Sequence, residues 1–239
     1  MNRISVLLLF AVFVYGNAPG QDTVKTTQRQ LLQRSIFPIT LIGTGLLLNN
    51  SNYEKEIQKD IHKFIGVDYK CSIDDYLQYM PVAQLYTGDI LGVKSRNHWF
   101  DQSKYLLMAN IVSSGITHGI KNIYVKERPN GDVHSFPSGH TSFAFVNATV
   151  LYNEYIDSSP VLAYSGYAFA FTTGIFRIFN NKHWTSDVLA GAGIGILSAD
   201  LVYYFEPFKK FNPFKTSKKM VILPFSNSLA KGLYFIVSL

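Results

Sequence analysis

The chain has 239 residues, enough for one domain with a sizeable core, and its single cysteine, Cys71, excludes an intrachain disulfide. Hydrophobic residues make up 47% and charged residues 16%, which leans towards a membrane-linked or densely packed helical protein. The net charge is +6, but basic residues are dispersed apart from the stretch Lys209-Lys210 to Lys218-Lys219, so nucleic acid is not an expected partner.

In chain order, residues 1–20 read as an export signal. Arg3 gives a positive start, Val6 to Val14 is apolar, and Ala18-Pro19-Gly20 supplies small residues before Gln21. The expectation is an exported protein, in a periplasm or at the periplasmic face of a membrane. Residues 21–207 then read as one helical domain. Thr26 to Leu48 is amphipathic and then apolar, and Tyr53 to Ile65 is a charged surface helix. Ile73 to Val93 opens on Asp74-Asp75, favourable near a helix start, and carries Pro81 as a kink. Gln102 to Lys126 reads as one long helix, followed by helices over Ser138–Tyr155, Val161–Phe179 and Thr185–Tyr204. Gly191, Gly193 and Gly195 follow no strand, so they are not a dinucleotide loop; small residues at this spacing permit close helix packing. A bilayer-spanning helix needs about 20 mainly apolar residues. The uncharged runs Val161–Phe176 and Tyr105–Ile120 fall short of that, so they suit a spanning helix or a buried bundle helix equally.

Residues 208–239 form a tail. Phe208, Phe211 and Phe214 alternate with lysines, which suits an anionic membrane surface or a solvated linker. Val221-Ile222-Leu223 and Leu233-Tyr234-Phe235-Ile236-Val237 then flank a polar stretch and read as a β-hairpin. The expected fold class is therefore an all-α bundle with a short C-terminal β-hairpin.

Three segments carry the chemistry: Lys121-x6-Arg128-Pro129, Pro137-Ser138-Gly139-His140 and Arg177-x5-His183-x3-Asp187. They supply three cations, a Ser-Gly turn, two histidines and a carboxylate. A transferring phosphoryl group spreads charge over three oxygens, so its catalysis is mostly positioning and electrostatic stabilisation. Lys121, Arg128 and Arg177 suit those oxygens, and arginine's planar fork suits them best. Two histidines can divide the remaining work, one attacking and one protonating the leaving oxygen. Lys121 and Arg128 would lie two turns apart on one helix face. Ser138 reads as an N-cap at a helix start, where free backbone N–H groups favour an anion. His183 and Asp187 would be neighbours along a helix, the carboxylate fixing the imidazole tautomer.

At these residues the chain resembles the type 2 phosphatidic acid phosphatase superfamily, which also contains vanadium haloperoxidases and bacterial acid phosphatases. Three motifs in the right order carry the resemblance, over residues 110–205. The resemblance implies an all-helical core and metal-free phosphohydrolase chemistry on a phosphorylated lipid, lipid A phosphate included, at a membrane, with no cofactor. It implies His183 as the nucleophile that forms a phosphohistidine, Asp187 as its orienting partner and His140 as the general acid. Lys121, Arg128, Ser138, the Gly139 amide and Arg177 would hold the phosphoryl oxygens. Two departures stand out. Phe176 occupies the place where the family usually has Ser, and the stretch from Pro129 to Pro137 is a short turn with little room for a lid. A vanadate-dependent haloperoxidase, a soluble acid phosphatase and a non-catalytic membrane protein are the alternatives. His134 suits the pocket mouth or a solvated loop, His118 a core position, and Trp184 a packing role beside His183.

Overall fold

Among the described residues the chain folds as eight helices and one hairpin: α1 (Thr23–Leu48), α2 (Asn52–Ile65), α3 (Asp74–Leu77), α4 (Met80–Ile90), α5 (Trp99–Ile123), α6 (Gly139–Tyr155), α7 (Pro160–Phe179), α8 (Thr185–Phe205), β1 (Met220–Ser226) and β2 (Lys231–Val237). The computed structural model describes residues 23–66, 69–214, 220–226 and 231–237, so the export-signal segment lies outside the described residues.

Helices α6 and α8 form the centre. α8 packs against α1, α5 and α6, while α6 also meets α4, α5 and α7. The glycines of α8 make this possible. A Cβ on Gly191 would sit 2.6 Å from Ser138 O, and one on Gly195 would collide with Ser142 O, both belonging to the α6 side. Gly193 faces the other way, where a Cβ would stand 2.5 Å from Pro38 O of α1. The three glycines thus serve close helix packing on two faces. Around them lies a core that includes Leu85, Tyr105, Val150, Tyr155 and Tyr203. The Tyr155 hydroxyl, for example, donates to Leu85 O at 2.9 Å, which ties α6 to α4.

Several expected elements are corrected. The segment Ile73–Val93 is two helices rather than one kinked helix. Pro81 lies in the first turn of α4, where its missing N–H costs no bond. Helix α5 stops at Ile123, and Tyr124 is extended (φ −116°, ψ 98°), so Lys121 and Arg128 do not share a helix face. Helix α2 is not simply a surface helix. Ser51 caps it by accepting from the Glu54 amide at 3.0 Å, and Glu54 and Gln58 on one face are buried. The first part of the tail is neither a free linker nor loose. Lys104 of α5 donates to Phe208 O at 3.0 Å and to Phe211 O at 3.1 Å, and Phe214 lies 5.0 Å from Trp99. Beyond it β1 and β2 pair antiparallel, Met220 opposite Val237 and Ser226 opposite Lys231.

Among the described residues two helices are long and apolar enough to cross a membrane: α8, which is 67% buried in the bundle, and the α1 segment Leu31–Leu48, only 17% buried. Leu32, Ile36, Phe37, Ile39, Leu46 and Leu47 of α1 are each more than half exposed.

Candidate active site

The loop from α7 to α8 builds one half of the site. Asn181 takes a left-handed conformation (φ 58°), and the amides of Lys182 and His183 donate to Arg177 O at 3.0 and 3.2 Å. The chain thereby folds back over the end of α7. His183 precedes α8, and Asp187 is the third residue of that helix. The Asp187 Oδ2 accepts the Trp184 amide at 2.9 Å and lies 3.3 Å from His183 Nδ1. The pair therefore spans a helix N-terminus; it does not lie along a helix face. With Nδ1 engaged by the carboxylate, the lone pair of the neutral ring sits on Nε2. Burial pushes the His183 pKa down to about 4, with Lys121 and Arg177 adding to the effect and Asp187 opposing it. The imidazole is neutral at pH 7.

Asp187 is held from every side. Its Oδ2 also accepts a short bond from the Ser135 hydroxyl, and its Oδ1 lies 3.0 Å from Lys126 Nζ. Lys126 in turn donates to both Glu54 carboxylate oxygens, at 3.1 and 3.3 Å, and to Ser186 Oγ at 2.8 Å. The Ser186 amide closes the network by donating to Glu54 Oε1 at 3.0 Å. The Lys126, Glu54 and Asp187 side chains are at most 1% exposed. One buried cation stands between two buried anions, an arrangement that is tolerable only when fully hydrogen-bonded.

The cations come from three places. Lys121, in the last turn of α5, donates to His134 O at 2.6 Å and Ser135 O at 3.1 Å, while His134 Nδ1 lies 2.9 Å from Lys121 O. His134 is a loop residue, but it is not free: its ring and its carbonyl both hold Lys121. Burial lowers the Lys121 pKa to about 8, and Arg128 and Arg177 push the same way against Asp187. Arg128 lies in a turn closed by its amide donating to Asp132 O at 2.7 Å. The Nε atoms of both Arg128 and Arg177 are buried without a hydrogen-bond partner. Buried donors of this kind normally find an acceptor, and an anion in the pocket would supply one. Trp184 Nε1 donates to Glu127 O at 2.8 Å, which clips the Arg128 turn to the His183 loop; Trp184 packs and holds.

Ser138 caps α6. Its Oγ accepts from the Thr141 amide at 3.5 Å and the Thr141 hydroxyl at 2.9 Å, and its amide donates to Asp187 O at 2.9 Å. Neither side-chain bond uses the Ser138 hydroxyl hydrogen. Nothing lies within 4 Å of a Cβ built on Gly139, so the first turn of α6 opens on free space.

The other half of the site is looser. His140, the second residue of α6, has a 36% exposed side chain, and its Nε2 stands 3.2 Å from Asp75 Oδ1. Burial and Arg177 lower the His140 pKa, and Asp75 and Asp74 oppose them. Arg177 Nη1 lies 2.8 Å from Asp74 Oδ2 and 3.3 Å from Asp75 Oδ1.

Six of the eight catalytic or phosphate-binding residues expected from sequence are electrostatically linked, Lys121, Arg128, Arg177 and Asp187 bearing on one another or on His140 and His183, and Ser138, beside Gly139, joins them through its amide bond to Asp187 O. Phe176 donates nothing there and sets its ring 6.1 Å from Phe179. His118 is exposed, contrary to a core position. Sequence reasoning missed Glu54, Asp74, Asp75, Lys126 and Ser135. Among the described residues no cluster of three or more His, Cys, Asp or Glu could hold a metal ion.

A helical bundle that brings three separated motifs to one cationic pocket defines a class. The family model of the PAP2 superfamily matches residues 130–211 of the chain. Among individual proteins it is 34% identical over 197 residues to the lipid A 1-phosphatase of Porphyromonas gingivalis, an alignment covering 81% of this chain and 41% of that relative. The chain thus spans less than half the length of the curated relative it matches. Among solved structures it is similar to LpxE of Aquifex aeolicus, with 20% identity and a TM-score of 0.49 over 66% of this chain and 98% of the other. It is also similar to the transmembrane PAP2 type phosphatidylglycerolphosphate phosphatase of Bacillus subtilis, with 19% identity and a TM-score of 0.47 over 75% of this chain and 99% of the other.

Proposed function

We propose that this protein is a phosphohydrolase that releases phosphate from lipid phosphate monoesters or lipid pyrophosphates through a phosphohistidine. The carrying observation is the neutral, Asp187-oriented His183 close to Lys121 and to Arg177, whose buried Nε lacks a partner. In this reading Arg128, Arg177, Lys121, the Ser138 hydroxyl and the Gly139 amide hold the phosphoryl oxygens. His183 Nε2 attacks phosphorus, a P–N bond forms, and the P–O bond to the lipid breaks. His140 gives its proton to the leaving oxygen. Water then attacks the phosphohistidine while His140 takes a proton back, and inorganic phosphate leaves. Asp187 stabilises the positive charge that develops on His183, and Lys126 and Glu54 hold Asp187 in place.

The lipid substrate is supported by the exposed apolar face of α1 and by the relative named for lipid A. Acyl chains left in the bilayer would contribute binding energy that a soluble phosphate lacks. The apolar, Arg3-led start of the chain supports a site outside the cytoplasm. Phosphate release from lipid A, a phosphatidyl monoester, a lipid pyrophosphate and a soluble aryl phosphate, with His183→Ala as control and with chelator present, tests the reading. The expected result is chelator-resistant release that favours the lipids and vanishes in the variant. Preference for small phosphates would remove the lipid assignment. Turnover in the variant would remove the mechanism.

A further inference from the structure

The acidic pair of α3 sits where an anionic substrate would bind, and its two members are built differently. Asp74 is 1% exposed. Its Oδ2 meets Arg177 Nη1 at 2.8 Å and its Oδ1 accepts Asn180 Nδ2 at 3.0 Å. Asn180 is itself locked to the Cys71 backbone by bonds of 2.6 and 2.8 Å. Asp74 is therefore a fixed brace for Arg177. Asp75 has a 53% exposed side chain, and a single oxygen, Oδ1, contacts both His140 Nε2 at 3.2 Å and Arg177 Nη1 at 3.3 Å. Those two groups are the ones that the proposed reaction needs for the leaving oxygen and the phosphoryl group. The same Arg177 keeps its buried Nε unpartnered.

We propose that Asp75 is a specificity-determining residue whose carboxylate is an exchangeable internal anion, bound to His140 and Arg177 in the resting enzyme and displaced by the phosphate of the substrate. The inference rests on the phosphohydrolase reading above. A carboxylate carries one charge and here uses one oxygen. A phosphate monoester brings nearly two charges and several oxygens, so it replaces Asp75 on His140 Nε2 and Arg177 Nη1 and also reaches Arg177 Nε. Every external anion must compete with Asp75, and its apparent affinity falls by the fraction of time the pocket is vacated. The effect matters most after the reaction. Inorganic phosphate in a pocket with three cations would otherwise dissociate slowly, and a tethered carboxylate returning to His140 and Arg177 helps to expel it.

The test measures inhibition by inorganic phosphate and by vanadate in the full chain in detergent, with release from an aryl phosphate as the assay, for the wild type, Asp75→Asn, Asp75→Glu and His183→Ala. Because Asp75 is half exposed, the isosteric Asn change leaves the core untouched, and Asp75→Ser serves as a second neutral variant. The expected result is that both neutral variants bind phosphate and vanadate about tenfold more tightly, with KM falling in step and kcat not rising. Asp75→Glu should restore weak binding. A residue that merely supported the pocket would change these constants in the opposite direction. Unchanged or weakened phosphate inhibition in the neutral variants, with a wild type that hydrolyses the substrate and binds phosphate, overturns this inference alone. A wild type that neither hydrolyses the substrate nor binds phosphate overturns the phosphohydrolase reading and this inference with it. Phosphate binding to His183→Ala, measured by calorimetry, shows the pocket separately from turnover.

Discussion

The two histidines of the site live in opposite surroundings. His183 is 2% exposed, and its carboxylate partner is held by a backbone amide, a serine and a buried lysine. His140 is 36% exposed and faces a carboxylate that is itself 53% exposed. The group assigned to attack is thus preorganised before substrate arrives, while the group assigned to donate a proton makes a contact that must be exchanged. The difference suits the chemistry. The nucleophile acts on the same phosphorus each time, so a rigid setting serves it. In the proposed reaction the acid must meet a leaving oxygen whose bulky lipid has to enter and depart.

The comparison breaks most visibly at the rigid end. Replacing His183 with Ala should lower kcat by about 10⁴-fold or more with the fold kept, as seen in phosphate release beside circular dichroism, and no acid-labile phosphohistidine should be trapped. Near-normal turnover would end the assignment. Next comes the support beneath it. Lys126→Met leaves the buried carboxylates of Glu54 and Asp187 without their shared cation, and should cost about 3–5 kcal/mol of stability in thermal or chemical unfolding. Adding Glu54→Gln should restore part of the loss, whereas additive losses would show that the three do not act as one unit. At the looser end, His140→Ala should cost about 10²-fold on an alkyl phosphate and less on an aryl phosphate whose leaving group needs little protonation. Equal losses would assign His140 to binding.

The smallest and most graded effect is in pH. The folded-state pKa of His183 is depressed from 6.5 to about 4. Between those values the unfolded chain takes up a proton that the folded one refuses. The stability this buried ring contributes is therefore full above pH 6.5 and declines as pH falls through about 4. The acid limb of kcat/KM should sit in the same low range, because His183 remains unprotonated until then. An acid limb near 6.5 would show that the nucleophile is less buried than the structure has it.

What could be read from sequence was whatever lies within one short segment. The helices α6, α7 and α8 show as long, largely uncharged apolar stretches, and the residues from Pro137 to His140 announce a capped helix start. The contacts that complete the site are of a different kind. Glu54 and Lys126 are 72 residues apart, and nothing local distinguishes a glutamate on a charged helix that will be buried from one that will be solvated. Asp74 and Asp75 look like ordinary helix-start acids, because their partner Arg177 lies about a hundred residues later. The i,i+4 spacing of His183 and Asp187 identified the pair but not its setting. The helix begins between them, and that boundary depends on Arg177 O drawing the loop back. Pro81 differs from expectation for a related reason, since a proline that opens a helix and one that kinks it look alike until the neighbouring turn is known.

The Trp184 amide bond to Asp187 has a consequence for local opening. A single carboxylate both terminates α8 and orients the imidazole. Fraying of the first turn of α8 and disassembly of the histidine–aspartate pair are then one event with one equilibrium constant. Amide exchange at Trp184 would report directly on the fraction of molecules whose site is assembled, without substrate and without turnover. Loss of activity on mild heating should follow that exchange and precede the collapse of the α6–α8 interface, where the glycine contacts leave no slack.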